Sequence, residues 1–166
     1  ELVNETTIRL QLDDVSQAIV GDVIEDKSAN PDVDFSHNFM TRIITRGVLM
    51  TSGGKVKITD NNFDNTSMHS ILISDDAKSW YESGAVNDVE IARNRFGRVE
   101  GYTVQVMPEN TVHNGAVHKN IYIHDNVIDN ADDGWYFKSV DNVVLENNTS
   151  DKPMEIKVIN ADVKNK

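Results

Sequence analysis

The stretch VKITDNNF, residues 56–63, sets a pattern that recurs along the chain. It alternates apolar and polar residues, which is typical of a β-strand with one buried face. It then reaches an asparagine at its sixth position. Related stretches are VDFSHNFM (33–40), VEIARNRF (89–96), IYIHDNVI (121–128) and VVLENNTS (143–150). The pattern therefore predicts a series of equivalent strands, each followed by a turn that contains asparagine.

A second strand follows each of the first four repeats after fifteen residues: Val33 to Val48, Val56 to Ile71, Val89 to Val104 and Ile121 to Tyr136. The distance between successive repeats varies from 22 to 33 residues instead. A constant strand–turn–strand unit with insertions at one corner is typical of stacked coils. The sequence thus predicts an all-β fold, a right-handed single-stranded parallel β-helix of about five coils. The alternative is a β-sandwich whose hairpin turns carry the asparagines.

Stacking of the coils would place one asparagine of each repeat above the next: Asn38, Asn61, Asn94, Asn126 and Asn148. Asparagine tolerates left-handed backbone angles, and its amide can bond the amide of the next coil. We therefore expect a ladder of asparagine side chains that stabilises one corner of the fold.

The two ends of the chain depart from this repeat. Residues 1–22 contain one alternating strand, Ile8–Leu12, and are predicted to be a cap or the remnant of an appended β unit. Residues 23–160 are predicted to form the β-helix and residues 161–166 a frayed tail. Because an uncovered β-helix end exposes unpaired backbone groups, we expect a homodimer or aggregation at the N-terminal face unless residues 1–22 cover it.

Composition limits the classes of partner. The net charge of −11 disfavours nucleic acid and anionic membranes, whereas a neutral sugar is compatible with it. No apolar run approaches the length that spans a membrane. The chain has no cysteine and its histidines lack metal-ligand spacing, so neither a disulfide framework nor a metal site is expected.

The stretch ILISDDAKSWYESG, residues 71–84, ends a strand on two adjacent carboxylates. The fifteen-residue spacing stacks Asp75 and Asp76 beside the segment PEN, residues 108–110, of the next coil. We therefore expect Asp75, Asp76 and Glu109 to cluster at one corner. Carboxylates that crowd together favour keeping one of them protonated, so that an acid and a base can coexist.

The longer insertions leave from the same corner and are expected to wall a pocket there. Trp80 and Tyr81 offer flat apolar faces for the C–H side of a sugar ring, and Glu82 or Asn110 could bond its hydroxyls. An aspartate pair can also be ordinary turn chemistry, and a tryptophan in a loop can simply cover the core. These residues alone leave both interpretations open.

Several stretches together resemble glycoside hydrolase family 110. They are TRGVLMTSGGKVKITDNNF (45–63), MHSILISDDAKSWYESGAVNDVEIARNRF (68–96), PEN (108–110), VHKNIYIHDNVID (117–129) and KSVDNVVLENN (138–148). The resemblance implies a secreted or periplasmic bacterial α-galactosidase that removes terminal α-linked, in particular α-1,3-linked, galactose from an oligosaccharide or glycan. It also implies a right-handed β-helix with added β-barrel elements, and residues 1–22 resemble the last strand of such an element.

The chemistry implied by this resemblance is inverting hydrolysis, which needs no cofactor. The adjacent pair Asp75 and Asp76 matches the acid and base candidates of the family. We expect Asp75 to be the general acid and Asp76 the general base, with Glu109 as a competing carboxylate or hydroxyl ligand. In inverting enzymes the two carboxyl groups lie about 6.5–9.5 Å apart. Trp80, Tyr81, Glu82 and Asn110 would shape the galactose pocket.

The chain departs from the family in two respects, and these departures leave two other functions open. Family members are several times longer, with more coils before this region. They also carry a further aspartate on a neighbouring coil, whereas the position stacked before Asp75 is Ser52. A truncated, non-catalytic carbohydrate-binding β-helix is therefore an alternative. A calcium-dependent polysaccharide lyase with Lys78 as its base is a weaker one.

Overall fold

The computed structural model describes residues 1–16, 18–76, 79–81, 84–129 and 131–166. The strands are, in chain order, β1 Leu2–Asn4, β2 Thr7–Ile8, β3 Val33–Ser36, β4 Phe39–Met40, β5 Val48–Met50, β6 Val56–Thr59, β7 Asn62–Thr66, β8 Ile71–Ile73, β9 Asn87–Ala92, β10 Arg95–Val106, β11 His118–His124, β12 Val127–Ile128, β13 Ala131–Lys138, β14 Val140–Glu146, β15 Thr149–Ser150, β16 Ile156–Ile159 and β17 Val163–Asn165. A short 3-10 helix, Lys27–Ala29, precedes β3. Within these ranges, no helix has the length and apolar character needed to cross a membrane.

Two parallel sheets form the walls of a β-helix. The first sheet stacks β3, β6, β9, β11, β14 and β17 in that order. In the second sheet, one row contains β5, β8, β10, β13 and β16, and the other contains β4, β7, β10, β12 and β15. The chain visits the first sheet and then the second in every coil, so neighbouring strands come from successive coils. The predicted parallel β-helix is confirmed, with five coils between β3 and β17 in the described part of the chain.

The core follows from the alternation of side chains along each strand. In β6, Val56 and Ile58 point inward and are buried, while Lys57 between them is exposed. Inside the β-helix the rings of Phe63 and Phe96 stack with their centroids 5.0 Å apart. Full burial of one such side chain contributes about 1.5–3 kcal/mol. The inward side chains that stack from coil to coil therefore supply most of the driving force for folding.

The predicted asparagine ladder is confirmed. At each step the Oδ1 atom accepts two hydrogen bonds from the asparagine of the preceding coil, one from its backbone N and one from its Nδ2. Asn94 receives both bonds from Asn61 at 3.0 Å, and its own Nδ2 donates to Ile58 O at 2.7 Å. The ladder therefore satisfies buried backbone groups at a corner where no strand pairing reaches them.

The sequence suggests left-handed backbone angles at the ladder asparagines, but the structure has them one residue earlier. The residue directly before each ladder asparagine has φ between 53° and 58°: His37, Asp60, Arg93, Asp125 and Asn147. The ladder asparagines keep negative φ, because their side chains must point along the stack. The residue before them makes the bend that carries the chain from the first sheet to the second.

The fifteen-residue spacing holds for the first three coils and fails in the fourth. Val104 pairs with Trp135, not with Tyr136, because β10 contains a bulge between Val99 and Tyr102. One extra residue of β10 is absorbed there, so the fourth coil is one residue shorter than the pattern predicts. Trp135 consequently points into the core, where it is buried.

Both ends of the chain differ from the prediction. β1 and β2 form an antiparallel hairpin, so the predicted strand Ile8–Leu12 ends at its first residue. Every described residue among 1–24 is exposed. At the other end, β17 pairs in parallel with β14 where a frayed tail is predicted, because Val163 packs against the core. β3 is the edge of the first sheet in the described ranges, and self-association at that edge stays a prediction.

Candidate active site

A cleft of about 270 Å³ lies on the outer face of the second sheet. Its floor is a row of outward side chains from β5, β8 and β10, namely Leu49, Leu72 and Gln105, which pair in register. Asp75, Asp76, Trp80 and Glu109 also line the cleft, together with Arg46, Thr51, Met68, His69, Ser74, Ser79 and Met107. The structure thus brings the three predicted carboxylates to one cleft.

Two hydrogen bonds hold the ends of β8 and β10 together beneath this cleft. Ser74 Oγ donates to Met107 O at 2.8 Å, and Glu109 N donates to Asp75 Oδ1 at 2.9 Å. Asp75 and Glu109 are therefore neighbours on adjacent coils, as the stacking predicts. The bond fixes one oxygen of the Asp75 carboxyl group against the backbone of the next coil.

Asp76 organises the loop that follows it. Its Oδ1 accepts from Ser79 N at 2.7 Å and its Oδ2 from Trp80 N at 2.8 Å. Side-chain caps of this kind are a usual role for aspartate at a turn. The second aspartate of the pair thus positions the tryptophan at the cleft, a role that the sequence pattern leaves undecided.

The remaining predicted site residues do not all share this cleft. Trp80 is 78% exposed and lines it. Tyr81 has a φ of 54° and lines a separate cavity of about 470 Å³, in which Asp75 and Glu25 also take part. Asn110 lines a further cavity on the other side of Glu109. Glu82 lies outside the described residues.

Three residues that the sequence pattern does not indicate also line the cleft: Arg46, His69 and Gln105. Arg46 Nε is buried and has no hydrogen-bond partner among the described residues. His69 Nδ1 accepts from the backbone N of Tyr102 at 3.0 Å, and the two rings stack. A signal for Arg46 and His69 exists in the sequence, since each precedes the first residue of its second strand by two positions.

His118 is completely buried on β11, close enough to Asp75 to feel its charge. Val86 N donates to His118 Nδ1 at 3.1 Å, so the proton of the neutral ring lies on Nε2. Nε2 is buried and has no hydrogen-bond partner among the described residues. Burial lowers the pKa of His118 to about 4, and the charge of Asp75 only partly opposes this shift.

The low pKa of His118 predicts how the free energy of unfolding depends on pH. Because its pKa is about 4 in the folded chain and 6.5 in the unfolded one, the unfolded chain binds more protons between these values. The free energy of unfolding therefore falls as the pH is lowered through this window, by roughly 2–3 kcal/mol between pH 7 and pH 4.5 from this group alone. Urea unfolding at both pH values should show a smaller loss for His118→Asn than for the wild-type chain.

His37→Asn is the matched control because His37 is exposed. It should keep the pH dependence of the wild-type chain. Equal losses of stability in the wild-type chain and in His118→Asn would show that His118 does not cause the effect.

Comparison with known proteins agrees with the β-helix fold. Residues 46–153 match the family model described as right handed beta helix region. The chain is 37% identical over 129 residues to alpha-1,3-galactosidase A of Bacteroides thetaiotaomicron, covering 76% of this chain and 23% of that protein. It is 44% identical over 114 residues to alpha-1,3-galactosidase A of Streptomyces avermitilis, covering 68% and 18%.

A further relative is alpha-1,3-galactosidase B of Bacteroides fragilis, with 32% identity over 149 residues that cover 81% of this chain and 25% of that protein. The chain spans a quarter or less of the length of these three relatives. The resemblance that the motifs indicate is thereby confirmed.

Proposed function

Because the chain belongs to the right-handed β-helix family and is similar to part of proteins named alpha-1,3-galactosidase, we propose that its cleft binds terminal α-linked galactose and hydrolyses the bond that holds it. The observation that carries this function is the meeting of Asp75, Glu109 and Trp80 at one cleft. The substrate would be an oligosaccharide or glycan that the protein meets outside the bacterial cytoplasm.

The lining of the cleft suits a neutral hexose. Trp80 is exposed at the rim and offers its ring face to the C–H side of the sugar. Leu49 and Leu72 form an apolar floor, and Gln105 and Arg46 supply polar groups for hydroxyls. A few convergent polar groups on an apolar surface are typical of a small-molecule site.

Asp75 is proposed to act as the general acid. It would give its proton to the glycosidic oxygen as the bond from that oxygen to the anomeric carbon breaks. Asp76 is proposed to take a proton from a water whose oxygen attacks the anomeric carbon from the opposite face, so that α-linked galactose leaves as β-galactose. Glu109 is the alternative candidate for the general base. It is a close neighbour of Asp75, because its backbone N donates to Asp75 Oδ1.

One observation favours a second function, the binding of galactose without turnover. The resemblance implies a further aspartate on a neighbouring coil, but the residue that stacks directly before Asp75 is Ser52. Its hydroxyl donates to Pro31 O at 2.8 Å and accepts from Gly54 N at 3.3 Å, so it is part of a turn. The lyase alternative depends on Lys78, which lies outside the described residues.

Tryptophan fluorescence tests whether galactose enters the cleft. Trp80 is 78% exposed, whereas Trp135 is 1% exposed. Methyl α-galactoside should therefore change the emission of Trp80 saturably and leave that of Trp135 constant, and methyl α-glucoside should have a much weaker effect. Trp80→Phe should remove the signal, and Trp80→Ala should weaken binding measured by calorimetry by about fivefold, since aromatic contacts contribute about 1 kcal/mol.

Two outcomes would count against a galactose site in this cleft. One is an emission change that persists unaltered in Trp80→Phe. The other is the absence of any saturable change in the wild-type chain.

A further inference from the structure

A shallow cavity of about 400 Å³ lies on the outer face of the first sheet. Its lining residues come from β9, β11 and β14, which are neighbouring strands of that sheet. The cleft around Asp75 lies on the outer face of the second sheet, and the two linings share no residue. A ligand in this first-sheet cavity would therefore occupy a site of its own, separate from the carboxylates of the cleft.

Tyr122 supplies the first-sheet cavity with an aromatic ring that is fixed before any ligand binds. Its hydroxyl donates to Glu146 Oε2 at 2.8 Å, and the ring of His124 stacks on it with the centroids 4.1 Å apart. His124 follows Tyr122 by two residues on β11 and Asn120 precedes it by two, so all three point outward. One ring face of Tyr122 therefore lies against His124, while the other faces the cavity, and the residue is 38% exposed. Val144 pairs with Tyr122 from the next coil and extends this apolar surface.

Polar contacts hold the stacked histidine from both sides. His124 Nδ1 lies 2.7 Å from Asp125 Oδ2, and its Nε2 lies 3.2 Å from Glu90 Oε1. The histidine side chain is only 12% exposed, although it stands on an outer sheet face. Ordering an aromatic ring in advance removes part of the entropy cost of binding. The contacts around Tyr122 therefore make its ring a preorganised platform.

A second ladder of asparagines borders the same cavity. Asn142 Nδ2 donates to Asn120 Oδ1 at 2.8 Å, and Asn120 Nδ2 donates to Asn87 Oδ1 at 2.7 Å. In contrast to the buried ladder at the other corner, all three residues are exposed. Asn142 Oδ1 accepts no hydrogen bond from the described residues, and the exposed position of Asn142 lets a ligand hydroxyl reach it. The ladder thus presents amide groups in a row, with one coil spacing of about 4.8 Å between them.

Two carboxylates line the cavity, and both already have partners. Asp88 Oδ2 lies 3.9 Å from Lys55 Nζ, and Glu90 Oε1 lies 3.2 Å from His124 Nε2. A cation would have to compete with these partners, and an anion would meet two carboxylates. A neutral ligand with an apolar face and several hydroxyl groups, as in a sugar ring, fits this combination of platform and amides.

We propose that the first-sheet cavity is a second glycan-binding site, which takes a neutral hexose unit of a polysaccharide or glycan chain. The C–H face of the sugar packs on Tyr122 and Val144, and its hydroxyls bond the amides of Asn120 and Asn142. The site takes no part in hydrolysis, because the carboxylates of the cleft lie on the other sheet. It holds the protein on a glycan chain and so raises the local concentration of terminal sugars at the cleft. Binding here does not depend on the reaction proposed for the cleft.

NMR titration of the isotope-labelled full chain with β-1,4-linked galactotetraose tests the site. This probe is a neutral hexose chain without terminal α-linked galactose, so it offers the cleft no substrate. The backbone amide signals of Asn120, Tyr122 and Val144 should shift saturably. Tyr122→Ala should weaken the affinity measured by calorimetry at least fivefold, the effect of a lost aromatic contact, whereas Tyr122→Phe should keep most of it. Asp34→Asn, at an exposed position of β3, should bind like the wild-type chain.

Shifts confined to residues of the cleft, such as Leu72 and Gln105, or no saturable shift at all, would overturn the second site. Broadening of the Tyr122 signal that grows with protein concentration in the absence of sugar would also overturn it, because a second copy of the chain would then occupy the cavity. The change in Trp80 emission with methyl α-galactoside should be the same in Tyr122→Ala as in the wild-type chain. If this variant loses its fold, the shifts in the wild-type chain and the affinity of Tyr122→Phe decide the site.

Discussion

Replacing Asn94 by alanine is expected to lower the free energy of unfolding by roughly 3–5 kcal/mol. Asn94 is 1% exposed and stands in the middle of the asparagine ladder. Its loss leaves the backbone N of Asn61 without its acceptor. Asn61 Nδ2 keeps only its bond to Phe35 O, and Ile58 O loses the donor that Asn94 Nδ2 supplies. A buried group without a partner costs about 1–3 kcal/mol, and each of the other lost bonds about 1 kcal/mol. Alanine cannot restore any of these bonds. The corner keeps backbone bonds between coils, such as that from Arg95 N to Asn61 O, but loses the side-chain bonds of this step of the ladder.

Asn38→Ala is the matched control for this prediction. Asn38 lies at the exposed first step of the same ladder and donates to Asn61 Oδ1 and to Ser36 O. Because solvent can replace both partners, its loss should cost only about 1 kcal/mol. Urea unfolding followed by circular dichroism measures both variants. A loss in Asn94→Ala no larger than that in Asn38→Ala would refute the ladder as a source of stability.

Asp75→Asn is expected to lower kcat for galactoside hydrolysis by about 10²–10⁴-fold, the usual contribution of a positioned acid. The amide cannot give a proton to the glycosidic oxygen. The fold should hardly respond, because Asn Oδ1 can still accept from Glu109 N as Asp75 Oδ1 does. We therefore expect a change in Tm of less than about 2 °C together with nearly complete loss of turnover.

Asp34→Asn serves as the control for the loss of one carboxylate. Asp34 is exposed on β3 in the first sheet and takes no part in the cleft. This variant should keep the activity of the wild-type chain. Activity retained in Asp75→Asn would remove Asp75 from the role of acid, and a large drop in Tm would show that its carboxylate is needed for folding instead.

The repeat unit of the fold could be predicted from the sequence because it is local and periodic. Alternation in stretches such as residues 56–59 identifies buried strands, and the asparagine at a constant position identifies the corner. The bulge in β10 escapes such reasoning, because nothing in the alternation marks where one extra residue is absorbed. β17 could not be predicted, because residues 161–166 are short and charged like a free terminus. Only the folded structure shows that the edge of β14 is available to pair with them.

Some features of the candidate site could likewise be predicted from the sequence and others could not. The contact between Asp75 and Glu109 could be predicted, since both residues follow strands that precede the irregular fourth coil. The separation of Trp80 from Tyr81 could not, because it depends on one positive φ angle within a loop. Arg46 and His69 were overlooked because they precede their strands at a corner, where side-chain direction does not follow the alternation.

We propose that the cleft around Asp75 removes terminal galactose with inversion. Proton NMR of the wild-type chain acting on an α-1,3-linked galactosyl disaccharide tests it most directly, because the spectrum identifies both the released sugar and its anomer. We expect β-galactose to appear first and α-galactose to follow only by mutarotation. Release of α-galactose first, or no release of galactose at all, would contradict it.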